Sequence, residues 1–246
     1  MQVAVLVGGK GTRLFGSASP VPKALIEIGG RPILWHIMRL YAHYGVTDFV
    51  LCLGHLGDMI RRAFGPSPEQ GDPLPLATQG RAWSIAFAET GDDTPTGGRV
   101  KLAEPHLGDD VFMVTYGDGL ADLDIRRLAE FHRQHGRMAT VTAVRARAQF
   151  GVMRLRADGS VSHFEEKPWL PDVVNGGFYV FNREILEELA PEHVLERDVL
   201  PVLAERGELV AFEHDGFWAC LDTYKDALSL NDQWDAGQAP WKAWPE

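Results

Sequence analysis

The chain begins with an apolar run, Val3-Ala4-Val5-Leu6-Val7, that leads directly into Gly8-Gly9-Lys10-Gly11-Thr12-Arg13. A short continuous apolar run is typical of a strand that is buried on both faces of a sheet. A glycine-rich loop after such a strand can wrap its backbone N–H groups around a polyphosphate. Its glycines match neither the P-loop motif nor the G-x-G-x-x-G dinucleotide motif. The stretch therefore predicts a protein that binds a nucleotide in some other way.

Apolar runs alternate with amphipathic segments along the rest of the chain. A helix is predicted after Pro32, because apolar residues recur there at intervals of three and four until Gly45. Buried strands are predicted at 49–53, Val111–Tyr116 and Ala139–Val144. The alternation of strands and helices predicts an α/β fold with a mostly parallel central sheet flanked by helices.

The length and composition favour one domain. With 246 residues, 45% of them apolar, the chain can bury one large core. We expect a single domain over 1–246, with a flap or loop at about 65–80 and a C-terminal helical tail at about 223–246. The flap is rich in Pro and Gly without periodicity, so it is a surface flap or a simple spacer. As a flap it would order over the nucleotide or pack on a neighbouring subunit, and we expect a homo-oligomer.

Charge and cysteine content exclude several classes of partner. The net charge is −10, and the 24 basic residues are spread thinly, which argues against nucleic-acid binding. Cys52 and Cys220 both lie in apolar contexts, so a disulfide framework is not expected. The chain shows neither a signal-peptide pattern nor an apolar run near the ~20 residues of a membrane span. We therefore expect a cytoplasmic protein that acts on small molecules.

Ligands of an open parallel sheet bind beyond the carboxyl ends of its strands, and three polar clusters are predicted there. The first is the loop at 8–13 together with Lys23, which offers backbone donors and cations to a triphosphate. The alternative is a tight glycine turn in which Arg13 and Lys23 are simply solvated.

The second cluster contains two aspartates. Asp118 follows a predicted strand and lies between two glycines, a setting in which a carboxylate can hold a hard cation such as Mg²⁺. Because one carboxylate is a weak metal site, a partner is needed, and Asp222 at the end of an apolar and aromatic stretch is the best candidate. The alternatives are that Asp118 is a turn residue and that Asp222 caps the helix starting near Tyr224.

The third cluster is Glu165-Glu166-Lys167-Pro168, followed by Asn175-Gly176-Gly177. A carboxylate and an amide can bind sugar hydroxyls, and a lysine can hold a monophosphate. On composition alone, a solvated charge run and a glycine turn are favoured.

Together these segments resemble the sugar-1-phosphate nucleotidyltransferase family over nearly the whole chain. The opening motif G-G-x-G-T-R-L stands at 8–14 and the catalytic lysine at Lys23, while Asp118 matches the metal aspartate. The sugar-phosphate motif matches Glu166-Lys167-Pro168, and the sugar-binding turn matches Asn175-Gly176-Gly177. Stretches such as 27–38 and 239–242 are most similar to the branch of glucose-1-phosphate cytidylyltransferases.

The resemblance implies a Rossmann-like (GT-A-like) nucleotidyltransferase fold and an enzyme that uses CTP, glucose 1-phosphate and Mg²⁺. Asp118 and Asp222 are expected to hold the metal, Arg13 and Lys23 to be catalytic, and Lys167 to hold the attacking phosphate. The sugar is expected at Glu166, Asn175 and Gly176. The nucleotide is expected at Leu6, Gly8, Gly9, Gly11, Thr12, Thr96, Gly97, Thr115 and Gly117.

The chain departs from the family pattern near the nucleotide. Val7 replaces the usual Ala, and Val21 and Ala24 replace a Lys and a Pro beside Lys23. One alternative is therefore an enzyme of the same branch that uses another NTP, or a different sugar or cyclitol phosphate. An alternative of another class is a non-catalytic nucleotide-binding module, which would need the glycine loop but not Lys167 or the paired aspartates.

Overall fold

A computed structural model describes residues 1–9, 21–65, 76–78 and 80–245. The predicted site residues Gly11, Thr12 and Arg13, and most of the predicted flap, lie outside the described residues. None of the helices in these ranges has the length and apolar character that a membrane-crossing helix needs.

The central sheet contains seven strands in the order β7-β5-β6-β4-β1-β2-β3. In chain order they are β1 (Gln2–Leu6), β2 (Asp48–Leu53), β3 (Ser84–Glu89), β4 (Val111–Tyr116), β5 (Ala139–Val144), β6 (Val174–Asn182) and β7 (Leu209–His214). Neighbouring strands are parallel except at β6, which runs antiparallel to both β5 and β4. The prediction of a mostly parallel sheet flanked by helices is confirmed. The edge strand β3 was not predicted, because its residues are only partly buried and its apolar pattern is weak.

Helices and short hairpins complete the described part of the chain. The α-helices are α1 (Ile33–His43), α2 (Gly57–Phe64), α3 (Thr96–Leu102), α4 (Ile125–His135), α5 (Ile185–Glu188), α6 (Leu200–Glu205) and α7 (Tyr224–Asp235). Four strand pairs lie outside the central sheet: Glu27–Ile28 with Arg31–Pro32, Ala77–Thr78 with Arg81–Ala82, Gly119–Ala121 with Trp218–Cys220, and Val152–Leu155 with Val161–Glu165. Single turns of other helix types occur at Lys23–Leu25, Glu104–His106 and Leu195–Val199.

The core lies on both faces of the sheet. In β1, Val3 and Val5 belong to the core on one face, whereas Ala4 and Leu6 belong to the core on the other. This alternation follows from the two-residue period of a strand, and it explains why the run reads as continuously apolar. Helices α1, α2, α4 and α7 cover the first face, and α3, α5 and α6 cover the second.

The segment after α7 packs against α1. Trp241 is completely buried and Trp244 nearly so, and both lie on the first face of the sheet. Their rings surround His36 of α1, with centroid distances of 6.3 Å and 6.2 Å. The C-terminal residues therefore contribute to the main core.

The strand order determines where the polar clusters meet. Strands β1 and β4 are parallel neighbours, with Leu6 paired with Tyr116. The backbone N–H of Gly117 donates to the carbonyl of Leu6 at 3.1 Å. Gly8 and Asp118, which follow these two strands, therefore both lie beyond the carboxyl ends of the strands.

Candidate functional site

Lys23 forms ion pairs with two aspartates beyond the carboxyl ends of the strands. Its Nζ atom lies 2.8 Å from Oδ2 of Asp118 and 2.7 Å from Oδ1 of Asp222. The Lys23 side chain is only 16% exposed. Burial alone would lower the pKa of Lys23, but the two carboxylates outweigh it and hold the pKa above its ordinary value. Lys23 is thus a partly buried ammonium held by two charged hydrogen bonds, and the alternative of a solvated lysine is wrong.

A short strand pair brings the two aspartates together. Gly119–Ala121 runs antiparallel to Trp218–Cys220, and the N–H of Leu221 donates to the Asp118 carbonyl at 2.8 Å. Asp118 and Asp222 lie at the same end of this pair, so their carboxylates converge on Lys23.

The structure contradicts the two alternative roles, a turn residue for Asp118 and a helix cap for Asp222. Thr223 is the N-cap of α7, in a capping box with Asp226, so Asp222 does not cap the helix. The Asp118 carboxylate bonds to a lysine 95 positions away and not to its own turn.

The two carboxylates form a donor set that fits a hard divalent cation. One ligand atom each of Asp118, Asp222 and Cys220 lie within 4.8 Å of one another. Burial and the two carboxylates raise the pKa of the Cys220 thiol, which therefore stays protonated. The carboxylate oxygens are the groups that could hold Mg²⁺, at the place that the Lys23 ammonium occupies.

A cleft beside the glycine loop, here called the loop cleft, has a volume of about 410 Å³. Its lining residues come from the ends of β1 and β4 with the residues that follow them, from the turn before α3 and from α3 itself. They are Leu6, Gly8, Gly9, Asp92, Asp93, Thr94, Pro95, Thr96, Arg99, Tyr116 and Asp118. Four of the predicted nucleotide residues, Leu6, Gly8, Gly9 and Thr96, are thereby brought together with Asp118.

The other predicted nucleotide residues are placed differently. Gly117 lines a smaller cleft with Lys23 and Asp118. Gly97 packs on the 191–193 segment, since a Cβ atom there would lie 2.7 Å from the carbonyl oxygen of His193. Thr115 is 1% exposed, inside β4. Gly97 and Thr115 therefore support the cleft from behind its surface.

The smaller cleft also contains Val7. The Cγ1 atom of Val7 would lie 2.7 Å from a Cβ atom on Gly117, and Ala24 lies on the same side at 3.6 Å. Position 117 therefore has no room for a side chain. Val7 is 5% exposed and packs beneath the turn that carries Asp118.

Arg99 is a site residue that the sequence analysis did not identify. It is 5% exposed, and its guanidinium donates to the carbonyl of Gly8 at 3.0 Å and to that of Gly91 at 2.8 Å. Its other acceptors are the Thr90 hydroxyl and the carbonyls of Leu53 and Asp92. The signal was a single arginine between two glycines and Val100, in a segment that folds as a largely buried helix. Arg99 holds the glycine loop against the opposite wall of the loop cleft.

The predicted sugar-phosphate residues lie on the other side of the aspartates. Lys167 is exposed, has a left-handed backbone with φ of 49°, and lines a groove of about 890 Å³ together with Asp222. This groove, here called the hairpin groove, lies beside the hairpin formed by Val152–Leu155 and Val161–Glu165. Glu166 is exposed and lies next to Gly151. The charge run is therefore solvated, as its alternative predicted, but its lysine faces the same groove as Asp222.

The glycine turn at the start of β6 is held by its neighbours. Asn175 Oδ1 accepts from the N–H of Gly177 at 2.9 Å, and its Nδ2 donates to the hydroxyl of Tyr179. The carbonyl of Gly176 accepts from Trp218 Nε1 at 2.8 Å. Because Trp218 lines the hairpin groove, the turn lies directly behind that groove.

Comparison with known proteins gives consistent results. A family model described as nucleotidyl transferase matches residues 2–236. A probable glucose-1-phosphate cytidylyltransferase of Bacillus subtilis is 40% identical over 255 residues, which cover 99% of this chain and all of the relative. A glucose-1-phosphate cytidylyltransferase of Salmonella typhimurium is 40% identical over 257 residues, with the same coverage. Among solved structures, HddC from Yersinia pseudotuberculosis has a TM-score of 0.72 at 23% identity, covering 95% of this chain and 99% of its own.

Proposed function

Since the chain belongs to the nucleotidyl transferase family and is an enzyme of that class, we propose that it is a glucose-1-phosphate cytidylyltransferase. Such an enzyme joins the cytidylyl group of CTP to glucose 1-phosphate and releases pyrophosphate. Full-length identity of 40% to two relatives of that name supports the choice of substrates. The observation that carries the proposal is the position of Lys23, bonded to Asp118 of the loop cleft and to Asp222 of the hairpin groove.

In the proposed reaction, a phosphate oxygen of glucose 1-phosphate attacks the α-phosphorus of CTP in line. The new P–O bond forms as the bond to the β-phosphate oxygen breaks, and pyrophosphate leaves. Catalysis of this kind depends on positioning and on neutralising charge. The backbone of Gly8 and Gly9 would hold the triphosphate in the loop cleft. Lys167 would hold the sugar phosphate in the hairpin groove, with Lys23 between the two.

We propose Mg²⁺ as the cofactor, held by Asp118 and Asp222. Two carboxylates with a protonated thiol beside them are a donor set for a hard cation. When bound, the ion would neutralise part of the charge on the phosphates. The negative charge that remains when two carboxylates share one ammonium supports the same assignment.

We also propose that the protein is a homo-oligomer. The hairpin beside the groove exposes Met153, Leu155 and Phe164 by 56%, 65% and 58% of their surfaces. An isolated two-stranded hairpin is only marginally stable, and clustered exposed apolar side chains are typical of interaction sites. A second copy of the chain is the partner that would cover these side chains, and sedimentation at equilibrium would give the number of subunits.

A related enzyme that uses another NTP, or another sugar or cyclitol phosphate, is the second candidate. It is favoured by Val7, which stands in place of a smaller residue and packs beneath the turn that carries Asp118.

Both candidates are tested by measuring pyrophosphate release over a matrix of substrates. CTP, UTP, GTP, ATP and dTTP would each be combined with glucose 1-phosphate, with other sugar 1-phosphates and with a cyclitol phosphate, at saturating Mg²⁺. We expect the highest kcat/KM for CTP with glucose 1-phosphate. A higher value for another pair would support the second candidate. Absence of release from every pair would contradict both and support a non-catalytic nucleotide-binding module.

A further inference from the structure

Glu196 has a carboxylate bound to the wall of the loop cleft. It lies on the π-helical turn Leu195–Val199, directly before α6, and such turns often occur at functional sites. Its Oε2 atom accepts from the Thr96 hydroxyl at 2.7 Å, and its Oε1 atom accepts from the hydroxyl of Tyr116. Within the described ranges, both donors recorded for this carboxylate are neutral hydroxyls that belong to residues lining the loop cleft.

The hydrogen bonds continue from Tyr116 into the sheet. The Tyr116 hydroxyl lies 2.8 Å from the hydroxyl of Tyr179, a residue of β6 with no exposed surface. The Tyr179 hydroxyl in turn accepts from Nδ2 of Asn175. A continuous chain of hydrogen bonds thus runs from Thr96, beside the proposed nucleotide, to Asn175, in the turn behind the hairpin groove.

The carboxylate fixes the donor and the acceptor of each hydrogen bond in this series. An ionised carboxylate can only accept, so Thr96 and Tyr116 must both donate to Glu196. Because the single proton of Tyr116 is used there, Tyr179 must donate to the oxygen of Tyr116. The Tyr179 oxygen is then available to accept from the Asn175 amide, whose Oδ1 accepts from Gly177. The direction set by Glu196 and the N–H of Gly177, which can only donate, therefore favour the same orientation of the Asn175 amide, with Nδ2 toward Tyr179.

We propose that Glu196 is a positioning residue that orients the nucleotide side and the sugar side of the site together. This inference rests on the proposed function, since it requires a site that takes two substrates. Loss of the carboxylate leaves the hydroxyls of Thr96 and Tyr116 without this acceptor and removes the fixed direction of the series of hydrogen bonds. Both substrates should then bind more weakly, although Glu196 itself contacts neither.

The test uses two variants and one control. In Glu196→Met the length of the side chain is kept, but both acceptor oxygens are removed. We expect the KM of the NTP and the KM of the sugar phosphate each to rise about tenfold, with a smaller change in kcat. Tyr179→Phe removes the hydroxyl that links Tyr116 to Asn175, so only the KM of the sugar phosphate should rise. The control is Glu188→Gln, whose carboxylate pairs with Arg206 on the surface, and neither KM should change.

A double-mutant cycle distinguishes a positioning role from a merely structural one, because it measures the coupling between the effects of the two substitutions on the KM of the sugar phosphate. If Glu196 acts on the sugar through Tyr179, the double variant should raise the KM of the sugar phosphate no further than Glu196→Met alone. The proposal is overturned if Glu196→Met affects one substrate only, or if the two effects multiply. Should Glu196→Met fail to fold, Tyr179→Phe decides alone, and an effect on both substrates or on neither contradicts the proposal.

The outcome can be separated from that of the proposed function. The variants are compared on whichever substrate pair the unmodified enzyme uses, so a different base or sugar leaves the test intact. Calorimetric titration with each substrate alone gives the same comparison without turnover. Absence of turnover with every pair would contradict the proposed function, while these binding measurements would still decide the role of Glu196.

Discussion

The Lys23 ammonium lies 2.7 Å from Oδ1 of Asp222, a residue 199 positions further along the chain. It also lies 2.8 Å from Oδ2 of Asp118, so one cation is shared by two carboxylates. Under the proposed Mg²⁺ assignment, a divalent cation that binds through these same two oxygen atoms would take the place of the ammonium. We therefore expect cation binding and the release of Lys23 to be coupled.

The coupling predicts that Lys23→Met binds a divalent cation more tightly than the unmodified protein when no nucleotide is present. The ammonium no longer has to be displaced from two charged hydrogen bonds, and we expect a gain of about tenfold or more. Mn²⁺ binding measured by electron paramagnetic resonance checks this. Lys101→Met, which removes the same charge from a lysine paired with Glu104, should not change the affinity. Equal or weaker binding by Lys23→Met would show that the ammonium does not compete with the cation.

Turnover should require the same residues. Asp118→Asn and Lys23→Ala each remove a charged group that is positioned before the substrates bind, and such losses typically reduce the rate about a hundredfold or more. The measurement is pyrophosphate release at saturating Mg²⁺. Asp158→Asn is the matched control, because that carboxylate accepts from Ser160 in an exposed turn. Full activity in Asp118→Asn or Lys23→Ala would contradict the assignment of the site.

Arg99→Lys should destabilise the fold and weaken nucleotide binding. A lysine cannot reproduce the fork of bonds to Gly8 and Gly91, and buried carbonyls would lose their donors. We expect a loss of about 3 kcal/mol in the free energy of unfolding, measured in urea, together with a higher KM for the NTP. In Arg133→Lys, an exposed arginine beside Glu130 is replaced, and both quantities should stay unchanged. A loss of stability without a change in KM would leave Arg99 with a purely structural role.

His36 predicts a pH dependence of stability. Burial lowers the pKa of His36 to about 4, and its Nε2 bonds to the Ile28 carbonyl at 2.8 Å. Below pH 6.5, His36 becomes protonated in the unfolded chain. In the folded chain the same imidazole stays neutral down to about pH 4. The free energy of unfolding should therefore fall by about 1.4 kcal/mol per pH unit in this window as the pH decreases.

Urea unfolding at pH 7 and at pH 5 measures this effect. His36→Gln should lose less stability between the two pH values than the unmodified protein, because it has no proton to take up at this position. His163→Gln, which replaces a half-exposed histidine, should retain the full pH dependence. The assignment is wrong if both variants show the same decrease as the unmodified protein.

Patterns within a few neighbouring residues were sufficient to predict the fold class and part of the site. The run from Val3 to Val7 predicted a strand buried on both faces. Each face takes every second side chain, so burial of both faces requires apolar residues at consecutive positions. The glycine loop, Lys23, Asp118 and Asp222 were likewise identified from local context and from the family resemblance.

Contacts between distant segments could not be predicted in this way. The edge position of β3, the reversed direction of β6 and the roles of Arg99 and Glu196 depend on which strands become neighbours. The bonds from Lys23 to both aspartates depend on the pairing of Gly119–Ala121 with Trp218–Cys220. Hydrophobic periodicity records which residues are buried but not what they are buried against. The sequence thus specified the strands and the chemical groups, and the packing of the sheet determined which of those groups meet.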